Sequence, residues 1–96
     1  MKILFLPLKK QWYDMICSGI KKEEYRVIKP FWTVRLLEKD GITFKGYTHV
    51  KFTLGYTHTS MMFEIDSISI RTGNPEWGAE SGQEYYVIVL GNRISA

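Results

Sequence analysis

The sequence predicts an α+β fold, a small mixed, bulged β-barrel of about five strands with two helices packed against it. Two helical patterns of apolar residues fall in the first 40 positions, interleaved with short strand-like runs. From Thr48 onward the chain reads as strands and turns only. Within that second half the apolar residues change parity once, as a strand bending around a barrel must.

Ile3-Leu4-Phe5-Leu6 is a continuous apolar run closed by Pro7, the pattern of a strand buried on both faces. Between Lys9 and Ser18, Trp12, Met15 and Ile16 fall at i, i+3 and i+4 on one helix face, and Gly19 suits a left-handed C-terminal cap. Lys22 to Ile28 reads as a strand with Tyr25 and Val27 on one face and Glu24 and Arg26 on the other. Pro30 opens a second helix that carries Phe31, Val34 and Leu37 on one side and stops at Asp40-Gly41, although Lys29 is a poor N-cap.

Thr48 to Leu54 alternates, with Val50, Phe52 and Leu54 inward and His49, Lys51 and Thr53 outward, and Gly55 to Ser60 reads as a hairpin loop. Met61, Phe63 and Ile65 keep one parity while Ile68 and Ile70 keep the other, which predicts a bulge or bend near Asp66-Ser67. Thr72 to Gln83 holds three glycines and a proline and reads as a loop. Glu84 to Leu90 is apolar or aromatic on both faces, so it is expected at the centre of the sheet.

With 96 residues, 45% of them hydrophobic and 15% aromatic, the whole chain, 1–96, is expected to form a single domain without disulfides or a structural metal. Thirteen basic against ten acidic residues give a net charge of +3, which favours polyanions but lacks the strong excess of a nucleic-acid coat protein. Cys17 is alone, so no internal disulfide forms; a reducing cytoplasm is expected, with Cys17 as a small buried hydrophobe. Pro7 and Lys9-Lys10 cut the apolar start too short for a membrane span or a signal peptide, so the mature chain is expected to begin at Met1. His49 and His58 read as surface residues, too few for a zinc site, and no phosphate-gripping glycine loop or serine triad spacing is present. Neither a metal nor a cofactor is expected.

Gly19-Ile20-Lys21-Lys22-Glu23-Glu24-Tyr25-Arg26 packs six ionisable side chains between helix and strand. Its spacing, Gly-x-Lys-x-x-Glu-x-Arg, resembles the signature of the ASCH family, small domains with a fold like the PUA RNA-binding module. The order of elements from Ile3 to Phe31 and a final strand like Tyr85-Tyr86-Val87-Ile88 are also similar to that family. The resemblance implies a PUA-like barrel and RNA or nucleotide binding, while some members are small amidohydrolases acting on N4-acylated cytidine. In those members a threonine takes the position of Glu24 and works with a lysine matched by Lys21 and a glutamate from the later half. Glu24 cannot supply a hydroxyl nucleophile; in this chain it could activate a water molecule instead.

Two residues apart on a strand, Glu24 and Arg26 share one face at roughly 7 Å along the backbone. They can pair so that the Arg26 fork is held rigid toward a phosphate, a carboxylate or a base edge, with Glu24 accepting from an exocyclic amine. The competing reading is a solvated surface pair worth about 0–1 kcal/mol. Strict alternation would place Lys22 on their face, whereas an irregular turn after Gly19 favours Lys21. Trp77, in the turn-rich loop, is a candidate for base stacking at the cleft, and Trp32 reads as structural. Glu76 is the acid expected to partner Lys21, with Glu80 and Glu84 solvated.

The leading functional reading is a cytoplasmic domain that holds RNA, or a modified nucleoside or nucleotide, in a cleft formed by Lys21, Glu24, Arg26 and Trp77. Basic residues crowd the first third while Glu76, Glu80 and Glu84 make the last loop acidic, which suits a short single strand or lone nucleoside better than a duplex. The second reading is a cofactor-free amidohydrolase with Lys21, Glu24 and Glu76 as catalytic residues. The third is a protein-interaction module that docks through its aromatic loop.

Overall fold

A computed structural model describes residues 1–95. Leu4, Leu6 and Leu8 turn inward from the first strand, β1 (Ile3–Leu8), while Phe5 between them is 64% exposed. This corrects the expectation of a strand buried on both faces. β1 is an edge strand, which is also why Pro7, lacking an N–H, is tolerated within it.

Helix α1 (Lys10–Cys17) buries Tyr13 and Ile16. It leaves Cys17 exposed, against the expected core position, because that residue falls one step past the inward stripe. Strand β2 (Glu23–Val27) follows, then helix α2 (Pro30–Leu36). The inward face of α2 also differs from expectation: Leu36 is buried and Trp32 packs on the core, whereas Phe31 and Val34 are exposed. The helix stops at Leu36 because Leu37 turns extended and bridges Phe44, while Asp40 accepts the Ile42 and Thr43 N–H groups in a local turn.

Strands β3 (His49–Leu54) and β4 (Ser60–Thr72) form the expected hairpin, and β5 (Glu84–Ser95) runs five residues beyond Leu90. A short 3-10 turn, Pro75–Trp77, interrupts the loop between β4 and β5. The five strands form one mixed sheet in the order β1-β3-β4-β5-β2, with β1 and β3 parallel and the other neighbours antiparallel. Register slips where β4 passes Ile65 and Ser67, beside the expected bend, and twice more between Met62 and Ile65. These bulges curl the sheet into a half-barrel over the larger of two core clusters, the smaller being Ala79, Tyr85 and Val87 with Tyr25 and Val89 packed on them.

Cross-strand rows fix what faces that core. Leu6 lies opposite Phe52, and Phe52 opposite Met61; all three are at most 1% exposed. Sealing a ring such as Phe52 from water contributes about 1.5–3 kcal/mol. Farther around the curl, Ile88 pairs with Ile68 on one side and Glu24 on the other, and Tyr86 pairs with Ile70 and Arg26. Glu24 and Arg26 therefore occupy positions that continue rows of core residues.

Candidate functional site

The site begins where α1 ends. Gly19 adopts φ 83° and closes the helix with two reversed hydrogen bonds, Ile20 N–H to the Met15 carbonyl and Gly19 N–H to the Ile16 carbonyl. Lys21 N–H adds a third bond to Met15, so Lys21 is pinned in the cap before the strand begins at Glu23. Period-two alternation does not apply there. Lys21 is 2% exposed and Lys22 is exposed.

The Lys21 Nζ donates to the Trp77 carbonyl at 2.7 Å and pairs with Glu24 Oε1 at 3.2 Å. The Trp12 ring, 5.2 Å away, and the Tyr25 ring, 4.7 Å away, supply cation–π contacts. Burial lowers the Lys21 pKa below its usual 10.5, and the Glu24 carboxylate opposes that shift. The loop that delivers the Trp77 carbonyl sits tightly on the rest of the molecule. A side chain at Gly73 would meet the Tyr25 ring at 2.7 Å, and one at Gly78, whose φ is 102°, would meet Trp12 at 2.9 Å.

Glu24 joins two cations. Its Oε1 faces Lys21, and its Oε2 accepts from Arg26 Nη2 at 2.6 Å. Arg26 Nη2 also donates to the Pro7 carbonyl at 3.2 Å, so one side chain spans the gap between the sheet edges β2 and β1. The guanidinium lies 4.8 Å from the Trp32 ring centre. Among the described residues both Arg26 hydrogen bonds run through Nη2, and the buried Nε has no acceptor. A guanidinium tied at one corner keeps donors in reserve.

Two hollows of about 470 Å³ each adjoin Arg26. The first, toward α2, is walled by Phe31, Trp32, Arg35 and Tyr47; the second, toward α1, by Lys9, Trp12 and Glu24. Pro7, Arg26 and Tyr56 belong to both. Tyr56 is 98% exposed at the hairpin tip, and Arg35 stacks 3.6 Å from the Phe31 ring centre.

Lys21, Glu24 and Arg26 thus converge as one chain of charges, with Glu24 and Arg26 reaching the hollows and Lys21 behind them. Trp77 meets the cluster through its backbone carbonyl and is not among the residues lining either hollow. Glu76 is exposed; its backbone N–H bonds the Asn74 side chain, and Lys21 takes the neighbouring Trp77 carbonyl in place of the expected Glu76 carboxylate. Sequence reading assigns none of Lys9, Trp12, Phe31, Arg35, Tyr47 and Tyr56 to the cleft and reads Trp32 as structural, yet all of them line the hollows. That Tyr56 lines the same hollows as Pro7 depends on where the hairpin folds, which no local pattern signals.

Among the described residues no three His, Cys, Asp or Glu side chains group closely enough to hold a metal ion. No helix there is long and apolar enough to cross a membrane. Comparison with family models, curated proteins and solved structures finds no match, so the functional reading rests on the residues themselves.

Proposed function

We propose that the chain is a PUA-like, ASCH-type binding module of the cytoplasm that holds a short single strand of RNA, or a lone nucleotide, across Arg26. The observation that carries this reading is Arg26 itself, clamped at one corner by Glu24 and Pro7, backed by Trp32, and flanked by two aromatic-walled hollows. A rigid fork of this kind suits phosphate oxygens or a base edge. Exposed faces of Tyr56 and Phe31 offer stacking surfaces, and Glu24 can accept from an exocyclic amine at the second hollow. Lys21 serves as a buried strut that holds the Glu24 carboxylate in place.

Tyr56→Ala gives the cleanest test, because a side chain that exposed contributes within about 0.5 kcal/mol to stability. Titrating a six-nucleotide cytidine RNA against tryptophan fluorescence should show the variant binding about 1–3 kcal/mol more weakly. Arg26→Lys should weaken it further, and affinity should fall with added salt. Binding that ignores both substitutions and salt, or no binding to any RNA sequence, contradicts the proposal.

One observation also favours hydrolysis: Glu24 lines the second hollow, where it could take a proton from a water attacking an amide carbonyl and return it to the leaving amino group as the C–N bond breaks. Lys21 would then act through Glu24, since its own side chain is 1% exposed. Incubation with N4-acetylcytidine, following release of acetate and cytidine, decides this reading. No deacylation at stoichiometric protein removes it.

A further inference from the structure

The two hollows differ in their walls but share Arg26, and this arrangement narrows the ligand. Each volume, about 470 Å³, falls within the range of sites for small molecules, so each can hold one nucleoside. The wall common to both carries the Arg26 guanidinium, whose Nη1 has no acceptor among the described residues, and the exposed Tyr56 ring. Resting on the RNA reading above, we propose that the site takes a dinucleotide step: one base in each hollow, with the linking phosphodiester on Arg26.

Chemistry on the two sides supports a defined footprint over a continuous track. Toward α2 the charged side chains are Arg26 and Arg35, both cationic and both stacked on rings. Toward α1 the Glu24 carboxylate faces the hollow beside Lys9 and Arg26. A backbone running past Arg26 meets one anchored cation between two different base sites. The side with Glu24 favours a base bearing an exocyclic amino group, such as cytosine or adenine, over uracil. Beyond the hollow toward α1, the loop that reaches Lys21 and Trp12 carries Glu76 and Glu80, with Glu84 opening β5, and this negative charge disfavours a longer backbone in that direction.

A length series on the full chain tests this. CMP, CpC, CpCpC and a six-nucleotide cytidine RNA are titrated against tryptophan fluorescence, together with UpU and a CpC whose linkage is a neutral methylphosphonate. The expected result is CpC binding at least about tenfold tighter than CMP, because the second base binds as a linked unit. CpCpC and the hexamer should then gain no more than about threefold over CpC. The methylphosphonate and UpU should each lose most of the gain shown by CpC. Equal affinity for CMP and CpC, or affinity that keeps climbing to the hexamer, overturns the dinucleotide footprint while leaving RNA binding intact. Absence of binding across the series overturns both.

Discussion

Strand β2 carries an ionic cluster on each face, built from similar residues. Toward the half-barrel, Glu24 lies between Lys21 and Arg26 with its side chain 8% exposed. On the opposite face Glu23 bonds Tyr25 at 2.7 Å and pairs with Arg71, whose side chain is 44% exposed. Tyr25 in turn accepts the Asn74 N–H at 2.9 Å. The outer cluster ties the strand to the loop in the presence of water. The inner one replaces what could have been two apolar residues continuing the Ile88 and Tyr86 rows, and it must offset the desolvation of three charges. Parity along one strand separates a half-exposed staple from a buried group of charges.

Removing the central carboxylate should produce the largest effect. Glu24→Ala leaves Lys21 and Arg26 uncompensated and should lower unfolding stability by about 3–5 kcal/mol in urea titrations. Glu23→Ala should cost no more than about 1 kcal/mol, since water screens Arg71. Similar losses for both would dissolve the distinction between the faces. A double-mutant cycle sharpens it: Lys21→Met with Glu24→Gln should couple by about 1–3 kcal/mol, and Arg71→Ala with Glu23→Gln by under about 0.5 kcal/mol.

Alkaline pH affects the two clusters with opposite sign. Burial, reinforced by the hydrogen bond to Glu23, pushes the Tyr25 hydroxyl from its ordinary 10.0 up to about 12, against the opposing Asn74 N–H. Between those values the unfolded chain has released a proton that the folded chain retains, so this contribution is complete below pH 10.0 and is lost as pH rises toward 12. Lys21, lowered by burial, acts the other way: stability rises with pH between its folded value and 10.5. Urea midpoints of the wild type and Tyr25→Phe between pH 9 and pH 11.5 isolate the Tyr25 hydroxyl, because phenylalanine keeps the ring that faces Lys21. Their gap should close as pH rises; a constant gap contradicts the assignment. At acid pH the outer cluster matters again. Burial raises the Glu23 pKa, but hydrogen bonds from Arg71 and Tyr25 outweigh it and hold the carboxyl below 4.5. Its smaller stabilisation is present above that value and fades as pH falls through the lowered one.

How far the inner cluster could be read from sequence depended on the kind of signal. Gly19 is legible because a left-handed cap leaves few alternatives to glycine, and that cap explains why Lys21 is enclosed and Lys22 is not. The common face of Glu24 and Arg26 follows from alternation, and the slip near Ser67 from the parity change. Apolar runs carry less information. Ile3 to Leu6 shows nothing that marks Phe5 as outward, and Phe31 and Val34 look as suited to the core as Trp32 and Leu36. The partner of Lys21 in the late loop is a carbonyl, which every residue possesses, so side-chain chemistry pointed to Glu76 instead. The hollows arise where β1, β2 and the Gly55–Thr59 hairpin meet α2 on one side and α1 on the other, a tertiary fact with no local signature.

If RNA is held across Arg26, ligand contact falls at the inner cluster and not at the outer one. In a 1H–15N spectrum of the labelled protein titrated with CpC, the Arg26 Nε–H and the Trp12 and Trp32 indole resonances should shift while Arg71 Nε–H stays in place. Shifts confined to Arg71 and its neighbours, or no shift at saturating CpC, would contradict it.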